Sequence, residues 1–196
     1  MKYIEATQDL IKIKRYCKCG GEYDTSYSSM GELECDKCYS YYWHRLKRLK
    51  LKSIFLAGGI TDCPDWQSDI KNMLATTKLI LLNPRRKDFP IGDPNAALEQ
   101  IRWEHNALRA ADYILFWFPC ETLCPIVLYE LGAWSMTDKK VFVGVHPRYQ
   151  RRQDVEIQSR LVRPDIEIKY SLRDLADQVT EWACREEEEV SERDIY

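Results

Sequence analysis

Two glutamates occupy positions where a helix would bury apolar side chains. In CPIVLYELGAWS, apolar pairs flank Glu130 one turn before and one turn after it, Ile126 with Val127 and Ala133 with Trp134. Residues three and four apart share a helix face, so the pattern points the Glu130 carboxylate inward. Burying an unpaired carboxylate is costly. Such a group serves either as a structural partner, in a cap or a salt bridge, or as part of a site.

Glu104 raises the same question on the preceding helical stretch, DPNAALEQIRWEHNALRAAD. Asp93 as N-cap and Pro94 in the first turn mark the start of this helix. Glu104 replaces the apolar residue expected between Ile101 and Leu108. The predicted apolar stripe consists of Ala97, Ile101, Leu108 and Ala111. Inward carboxyl groups of this kind act as nucleophiles, general acids or general bases, or they form buried ion pairs.

Four of the eight cysteines have the spacing of metal ligands. CKCGGEY supplies Cys17 and Cys19, and ECDKC supplies Cys35 and Cys38. Two close pairs joined by a short polar hairpin can hold Zn²⁺ tetrahedrally, as in a zinc ribbon, and four thiolates make such a metal structural. The first pair has one intervening residue where ribbons more often have two. A redox or disulfide pair and inert thiols therefore remain alternatives.

The whole-chain composition describes a globular protein without general attraction to polyanions. The chain has 196 residues and a formal net charge of −2, and no segment approaches the length of a transmembrane helix. The N-terminus lacks the apolar core of a signal peptide, so we expect a cytoplasmic protein with no membrane partner. The basic stretch YSYYWHRLKRLKLKS is either a solvated linker strand or a contact for single-stranded nucleic acid.

Short apolar strands alternate with helical stretches from residue 53 onward. The strands SIFLAG, LILLNP, YILFWFP and VFVGVHP each end near Gly or Pro, and a fifth strand near DIEIKYSL precedes the helix LRDLADQVTEWA. This alternation predicts a flavodoxin-like α/β fold with a five-stranded parallel sheet in the order 2-1-3-4-5. The predicted units are a zinc-ribbon-like module with its basic linker at 1–50, the α/β domain at 51–185 and an acidic tail at 186–196.

Ligands of such sheets bind at the carboxyl ends of strands 1 and 3, where the strand order reverses. Strand 1 leads into AGGITDCPDWQ, whose Gly58 and Gly59 allow close backbone approach to a ligand, and strand 2 ends in NPRRKDFP. Neither a dinucleotide fingerprint nor a P-loop is present, so no organic cofactor is expected. Arg85, Arg102 and Arg109 are the alternative ion-pair partners of the two acids. Two inward acids beside a Gly-Gly loop at the switch point favour an active site.

Four segments in this order resemble the nucleoside 2-deoxyribosyltransferase superfamily over about residues 53–145. They are IFLAGGITDCPDWQ, LLNPRR, the acid-bearing helix ending in AADYILFWFP, and LYELGAWS. The resemblance implies that Glu130 of the E-L-G motif is the nucleophile and that Glu104 hydrogen-bonds the base. It also implies a homo-oligomer, because a neighbouring subunit commonly completes the site. The substrate-binding residues expected around the two acids are Gly58, Gly59, Asp65, Trp66, Gln67, Asn83 and Arg85.

The resemblance implies cleavage or transfer at the N-glycosidic bond of a nucleoside or nucleotide. A carboxylate beneath the sugar stabilises the oxocarbenium-like transition state and captures C1′ as a covalent glycosyl-enzyme. Two positions depart from the family pattern, since Phe55 stands where many relatives have Tyr and Cys124 where many have Asp. Arg85 and Arg86 could hold a 5′-phosphate, which would make the reaction hydrolysis of a nucleotide. The alternative function is a non-catalytic nucleotide- or nucleic-acid-binding module on the same scaffold.

Overall fold

Parallel strands form the centre of the molecule in a computed structural model that describes residues 4–5, 52–85 and 94–193. In chain order the elements are β1 Ile4–Glu5, β2 Ser53–Gly58, α1 Trp66–Met73, β3 Ile80–Leu82, α2 Pro94–Ala110, β4 Tyr113–Phe118, α3 Pro125–Ser135, β5 Lys140–Val145, α4 Arg152–Val162, β6 Ile168–Lys169 and α5 Leu172–Arg193. Within the described ranges the sheet order is β1-β3-β2-β4-β5-β6, and all pairs are parallel.

The five predicted strands are confirmed in the predicted order. They correspond to β2 through β6, with β2 and β4 adjacent at the centre of the sheet. Every residue of β2 and β4 is buried, as expected for central strands of a parallel sheet with helices on both faces. The structure adds a sixth strand, β1, beside β3 at the edge. A two-residue edge strand carries too little periodicity to be recognised in a sequence.

The helices differ from the sequence analysis in which faces they bury. On α2, Ala97 and Ile101 were predicted to be buried, but both are exposed, Ile101 to 63%. The buried face of this helix instead contains Trp103, Ala107, Leu108 and Ala111. On α3, Ile126 and Ala133 are exposed as well, and the buried residues are Val127, Leu131 and Ser135. The buried stripe of each helix is therefore rotated relative to the prediction.

The C-terminal helix is longer than the predicted one. It continues from Leu172 to Arg193, through most of the acidic stretch that sequence analysis treated as a separate tail. Glu and Arg are good helix formers, so a charged run can extend a helix that packing has already nucleated. The predicted zinc ribbon, the basic linker, Arg86 and Asp93 lie outside the described residues.

The direction in which successive strands are added to the sheet reverses between β3 and β4. The chain passes from β2 to β3 on one side and then crosses to β4 on the other, so the loops after β2 and β4 diverge at their carboxyl ends. The register aligns Gly58 at the end of β2 with Trp117 near the end of β4. Such a switch point leaves a crevice between the two loops, which is where ligands of open α/β sheets bind.

Candidate active site

A cleft of about 260 Å³ opens at this switch point, between the loops after β2 and β4. Its floor is made by the carboxyl end of β2, and its walls come from the two helices α2 and α3 that flank β4. Both inward acids, Glu104 and Glu130, line this one cleft. The other lining residues are Phe55, Ala57, Gly58, Gly59, Ile60, Thr61, Pro84, Thr122, Cys124, Pro125, Ile126 and Val127.

Glu130 reaches the cleft because of where α3 begins. Cys124 adopts a left-handed conformation with φ 47°, and Pro125 follows in the first helical turn. Proline at this position is compatible with the helix and fixes its start. Glu130 then lies beside the buried face formed by Val127 and Leu131, and its side chain borders the cleft rather than the core.

The carboxyl group of Glu130 has no hydrogen-bond donor or cation among the residues that the structure describes. Burial raises the pKa of Glu130 to about 7, and the nearby charge of Glu104 adds to this rise. Phe55, which also lines the cleft, offers no hydroxyl group to the carboxylate. Glu130 is therefore poised to change its protonation state near neutral pH.

Glu104 is held by Gln100, one turn earlier on α2. Gln100 Nε2 donates to Glu104 Oε1 at 2.8 Å and to the Pro84 carbonyl oxygen at 3.0 Å. Burial raises the pKa of Glu104, and the hydrogen bond from Gln100 opposes this rise. Sequence analysis missed Gln100, although its i, i+4 spacing from Glu104 was visible in the sequence.

The predicted arginine partners do not pair with either acid in the described part of the chain. Arg102 and Arg109 are exposed on α2. Arg85 Nε lies 2.9 Å from Gln67 Oε1 and 3.3 Å from Asp65 Oδ1, and its Nη2 donates to the Pro64 carbonyl oxygen at 3.0 Å. Arg85 thus ties the loop after β3 to the start of α1.

The remaining predicted substrate-binding residues form a support behind the two glycines. Trp66 Nε1 donates to the Gly59 carbonyl oxygen at 2.8 Å, and Gln67 Nε2 donates to the same oxygen at 3.3 Å. Both side chains are buried. Asp65 caps α1 by accepting from the Ser68 amide at 3.2 Å. These residues, together with Asn83 and Arg85, do not line the cleft itself.

Gly58 and Gly59 line the cleft, but packing is a second reason for their identity. A Cβ on Gly59 would lie 2.8 Å from Thr122 Cγ2 and 2.9 Å from Cys124 Sγ. These are side chains of the loop after β4, so the two loops approach each other too closely for a larger residue. The glycines therefore set the width of the cleft.

A second hollow, of about 420 Å³, lies between β6 and α5 at the far edge of the sheet. Two of its four carboxylates have partners, since Glu167 pairs with Lys169 at 2.6 Å and accepts from Gln178 Nε2 at 3.3 Å, and Asp174 accepts from Ser171 Oγ at 2.6 Å. The switch-point cleft is the stronger candidate for chemistry.

No helix in the part of the chain that the structure describes is long and apolar enough to cross a membrane.

Fold and cleft together define a flavodoxin-like α/β protein with paired carboxyl groups at the topological switch point. The family model described as nucleoside 2-deoxyribosyltransferase like matches residues 51–149, just over half of the 196 residues. The chain belongs to this family, which indicates glycosyl transfer at nucleosides. It has no significant match among curated proteins. The matched range contains every described residue that lines the cleft.

Proposed function

We propose that this protein cleaves or transfers the N-glycosidic bond of a nucleoside, with Glu130 as nucleophile. The observation that carries the proposal is that Glu104 and Glu130 line one cleft at the switch point, inside the range matched by the family. An accessible carboxylate in a largely apolar cleft stabilises a developing cation more strongly than one in water.

The proposed reaction has two displacement steps. The Glu130 carboxylate bonds to C1′ while the bond from C1′ to the base breaks, and the base leaves with the electron pair. When the leaving base is neutral in the substrate, its nitrogen takes a proton, and Glu104 is the nearest acid. A second base or water then attacks C1′, releases Glu130 and gives up its proton. The acceptor decides between transfer and hydrolysis.

The cleft favours nucleosides over their 5′-phosphates. Among the residues that the structure describes, the charged lining of the cleft consists of the two acids, and these would repel a phosphate. Arg85, a candidate for binding phosphate, is instead engaged with Gln67, Asp65 and the Pro64 carbonyl oxygen. The proposal therefore places nucleotide hydrolysis second to nucleoside cleavage.

The experiment is a panel of nucleosides, 2′-deoxynucleosides and 5′-monophosphates, with free base measured by chromatography in the presence and absence of a second base. Glu130→Gln keeps the shape of the side chain and should lower base release by about 10³-fold or more, because the carboxylate acts mainly in the transition state. Glu104→Gln should do less damage and should change which bases are accepted. Unimpaired base release by a folded Glu130→Gln protein would contradict the assignment of the nucleophile.

Two further proposals rest on the sequence and on the exposed surface. We propose that Cys17, Cys19, Cys35 and Cys38 bind a structural Zn²⁺, because their spacing suits a tetrahedral thiolate site. We also propose a homo-oligomer that covers the exposed apolar face of α3. Contact of the cysteine module with nucleic acid is the remaining alternative role, supported by the aromatic and basic composition of the stretch that follows it.

A further inference from the structure

The charges of the cleft point to a substrate whose base is itself positively charged. We propose that the site selects nucleosides of quaternary heteroaromatic bases, such as N-glycosylated pyridinium rings, over neutral nucleosides. This inference rests on the proposed function, because it names the class of leaving base that the same cleft would accept.

The first step of the argument is the orientation of the Gln100 amide. Its Nε2 lies 3.0 Å from the Pro84 carbonyl oxygen, and a carbonyl oxygen can only accept a hydrogen bond. The same Nε2 lies 2.8 Å from Glu104 Oε1. Pro84 therefore fixes the amide so that it donates to Glu104, and a donated hydrogen bond favours the ionised carboxylate.

The second step is the absence of a compensating charge. Neither Glu104 nor Glu130 lies within salt-bridge distance of a Lys or Arg in the described ranges 52–85 and 94–193. The cysteine that shares the cleft, Cys124, stays neutral because burial raises its pKa to about 12. Near the rim, Arg85 lies against Asp65 and interacts with the Cys63 thiol, while Asp62 and Glu121 add negative charge to this region.

The third step concerns the roles that a neutral base would require. Its departure needs a proton, which Glu104 would supply, together with an ionised Glu130. Burial raises the pKa of both acids, but the hydrogen bond from Gln100 opposes this rise at Glu104, whereas the charge of Glu104 adds to it at Glu130. The contacts therefore favour the opposite distribution, with Glu104 as the hydrogen-bonded carboxylate and Glu130 as the acid, whose pKa is about 7. For a cationic base, this distribution of protons is favourable instead. Such a base binds against the Glu104 carboxylate and favours ionisation of Glu130 through its positive charge.

The chemical step also balances without an acid. When Glu130 bonds to C1′ and the glycosidic bond breaks, the electron pair returns to the positively charged ring nitrogen, and the base leaves as a neutral molecule. No proton is needed at the base. Glu104 then acts as a counter-ion in the ground state and not as a proton donor.

The test is calorimetric binding of nicotinamide riboside, a cation, and of its uncharged 1,4-dihydro form, each as riboside and 2′-deoxyriboside, at pH 6 and pH 8. We expect the cation to bind at least about tenfold more tightly than the dihydro form. Binding of the cation at pH 6 should release a proton, detected as a dependence of the heat on the ionisation enthalpy of the buffer. Equal affinities, or no binding of the cation, would overturn the inference.

The effect of charge is separated from the effect of side-chain shape by substitutions that remove the charge and keep the size. Glu104→Gln and Glu130→Gln should each reduce the preference for the cation, whereas Asp69→Asn, the same loss of charge on the exposed face of α1, should leave it unchanged. Gln100→Met removes the donor to Glu104, so the pH at which cation preference appears should move upward. An unmoved pH profile in this variant would contradict the positioning role of Gln100.

The two proposals fail in different ways. Base release from neutral nucleosides with equal affinity for both pyridine forms would keep the proposed function and reject the cation preference. Tight cation binding without base release from any glycoside in the panel would reject the catalytic function and leave a cation-selective binding site.

Discussion

Glu130 combines two properties that rarely coexist, since it is largely shielded from water and it has no donor to its carboxylate in the described structure. The raised pKa of Glu130 affects the stability of the fold as well as the reactivity of the carboxyl group. A carboxyl group whose folded pKa lies above its unfolded value stabilises the fold below the unfolded pKa, near 4.5, and this contribution is lost as the pH rises through about 7. The same residue therefore links activity and stability to pH in opposite directions.

Glu130→Gln should consequently be more stable than the wild type at pH 8 and lose this advantage at pH 4. The rise in pKa from 4.5 to about 7 corresponds to a difference on the order of 3 kcal/mol between the two pH values, since one pKa unit is worth about 1.4 kcal/mol. Urea unfolding of both proteins from pH 4 to pH 9 measures it. A stability difference that does not vary with pH would show that Glu130 titrates normally.

Base release should show the complementary profile. Because the ionised form of Glu130 is the nucleophile and a cationic base leaves without a proton, kcat/KM for nicotinamide riboside should increase with pH, with a midpoint near 7 in the free protein. The measurement is initial-rate chromatography over the same pH range. A rate that falls as pH rises through 7 would assign the essential carboxyl group the role of an acid.

At the level of elements, the end of β2 and the loop after it pack closely against β4 and its following loop at Gly58 and Gly59. Gly58 is the more constrained of the pair. A Cβ there would clash with the Trp66 ring and lie 2.7 Å from the Trp117 carbonyl oxygen, and a backbone oxygen cannot move away cheaply. The end of β2 therefore tolerates no side chain at Gly58.

Gly58→Ala should destabilise the protein by about 2 kcal/mol or more through overpacking. The matched control is Gly132→Ala on α3, where an added Cβ meets no atom within 4 Å and the better helix propensity of Ala should add about 0.5–1 kcal/mol of stability. Thermal unfolding of the two variants compares them directly. If both substitutions changed the stability of the protein in the same direction, packing around Gly58 would not be the reason for its identity.

The sequence predicted the secondary-structure elements better than it predicted which face of each helix is buried. Strand identity and order were predictable because β2, β4 and β5 are short, apolar and separated by helices. The faces of α2 and α3 were not, because an exposed Ile101 or Ile126 has the same residue type as a buried one. Both acids were found from periodicity and family resemblance, even though part of the assumed periodicity was wrong. Gln100 was missed because its role depends on the Pro84 carbonyl oxygen, which only the folded chain brings near.

On the scale of the whole molecule, one exposed apolar stripe runs along α3 and its C-cap residue Met136. Ile126, Tyr129 and Met136 are 64%, 77% and 75% exposed, and Ala133 lies on the same exposed face. Their spacing of three and four residues forms a continuous stripe, which monomeric proteins rarely leave uncovered. Ile126 also lines the cleft, so a subunit packed on this stripe would border the site.

The protein should therefore be a homodimer or a larger oligomer, and Tyr129→Glu should shift it toward the monomer because a charge would be buried in the interface. Light scattering at micromolar concentration measures both proteins. Asp69→Asn, on a different helix, should leave the assembly unchanged. A monomeric wild type would contradict the proposal.

The zinc proposal is tested on the purified full-length chain. Elemental analysis should give about one Zn²⁺ per chain, and replacing Cys35 and Cys38 together by Ser should abolish retention of the metal, since two thiolates hold it far more weakly than four. Full zinc content in the double variant would place the metal elsewhere. Zinc-free wild type would favour a disulfide or inert thiols.

Every described residue that lines the cleft comes from one part of the chain, between Phe55 and Glu130. The elements that follow, β5, α4, β6 and α5, buttress the sheet but contribute no side chain to the cleft surface. The substrate preference of this molecule is consequently expected to depend on that one segment of the chain. Substitutions beyond Met136 can therefore remodel the outer surface without altering the described cleft lining, and exchanging the segment from β2 through α3 between relatives should exchange the substrate preference with it.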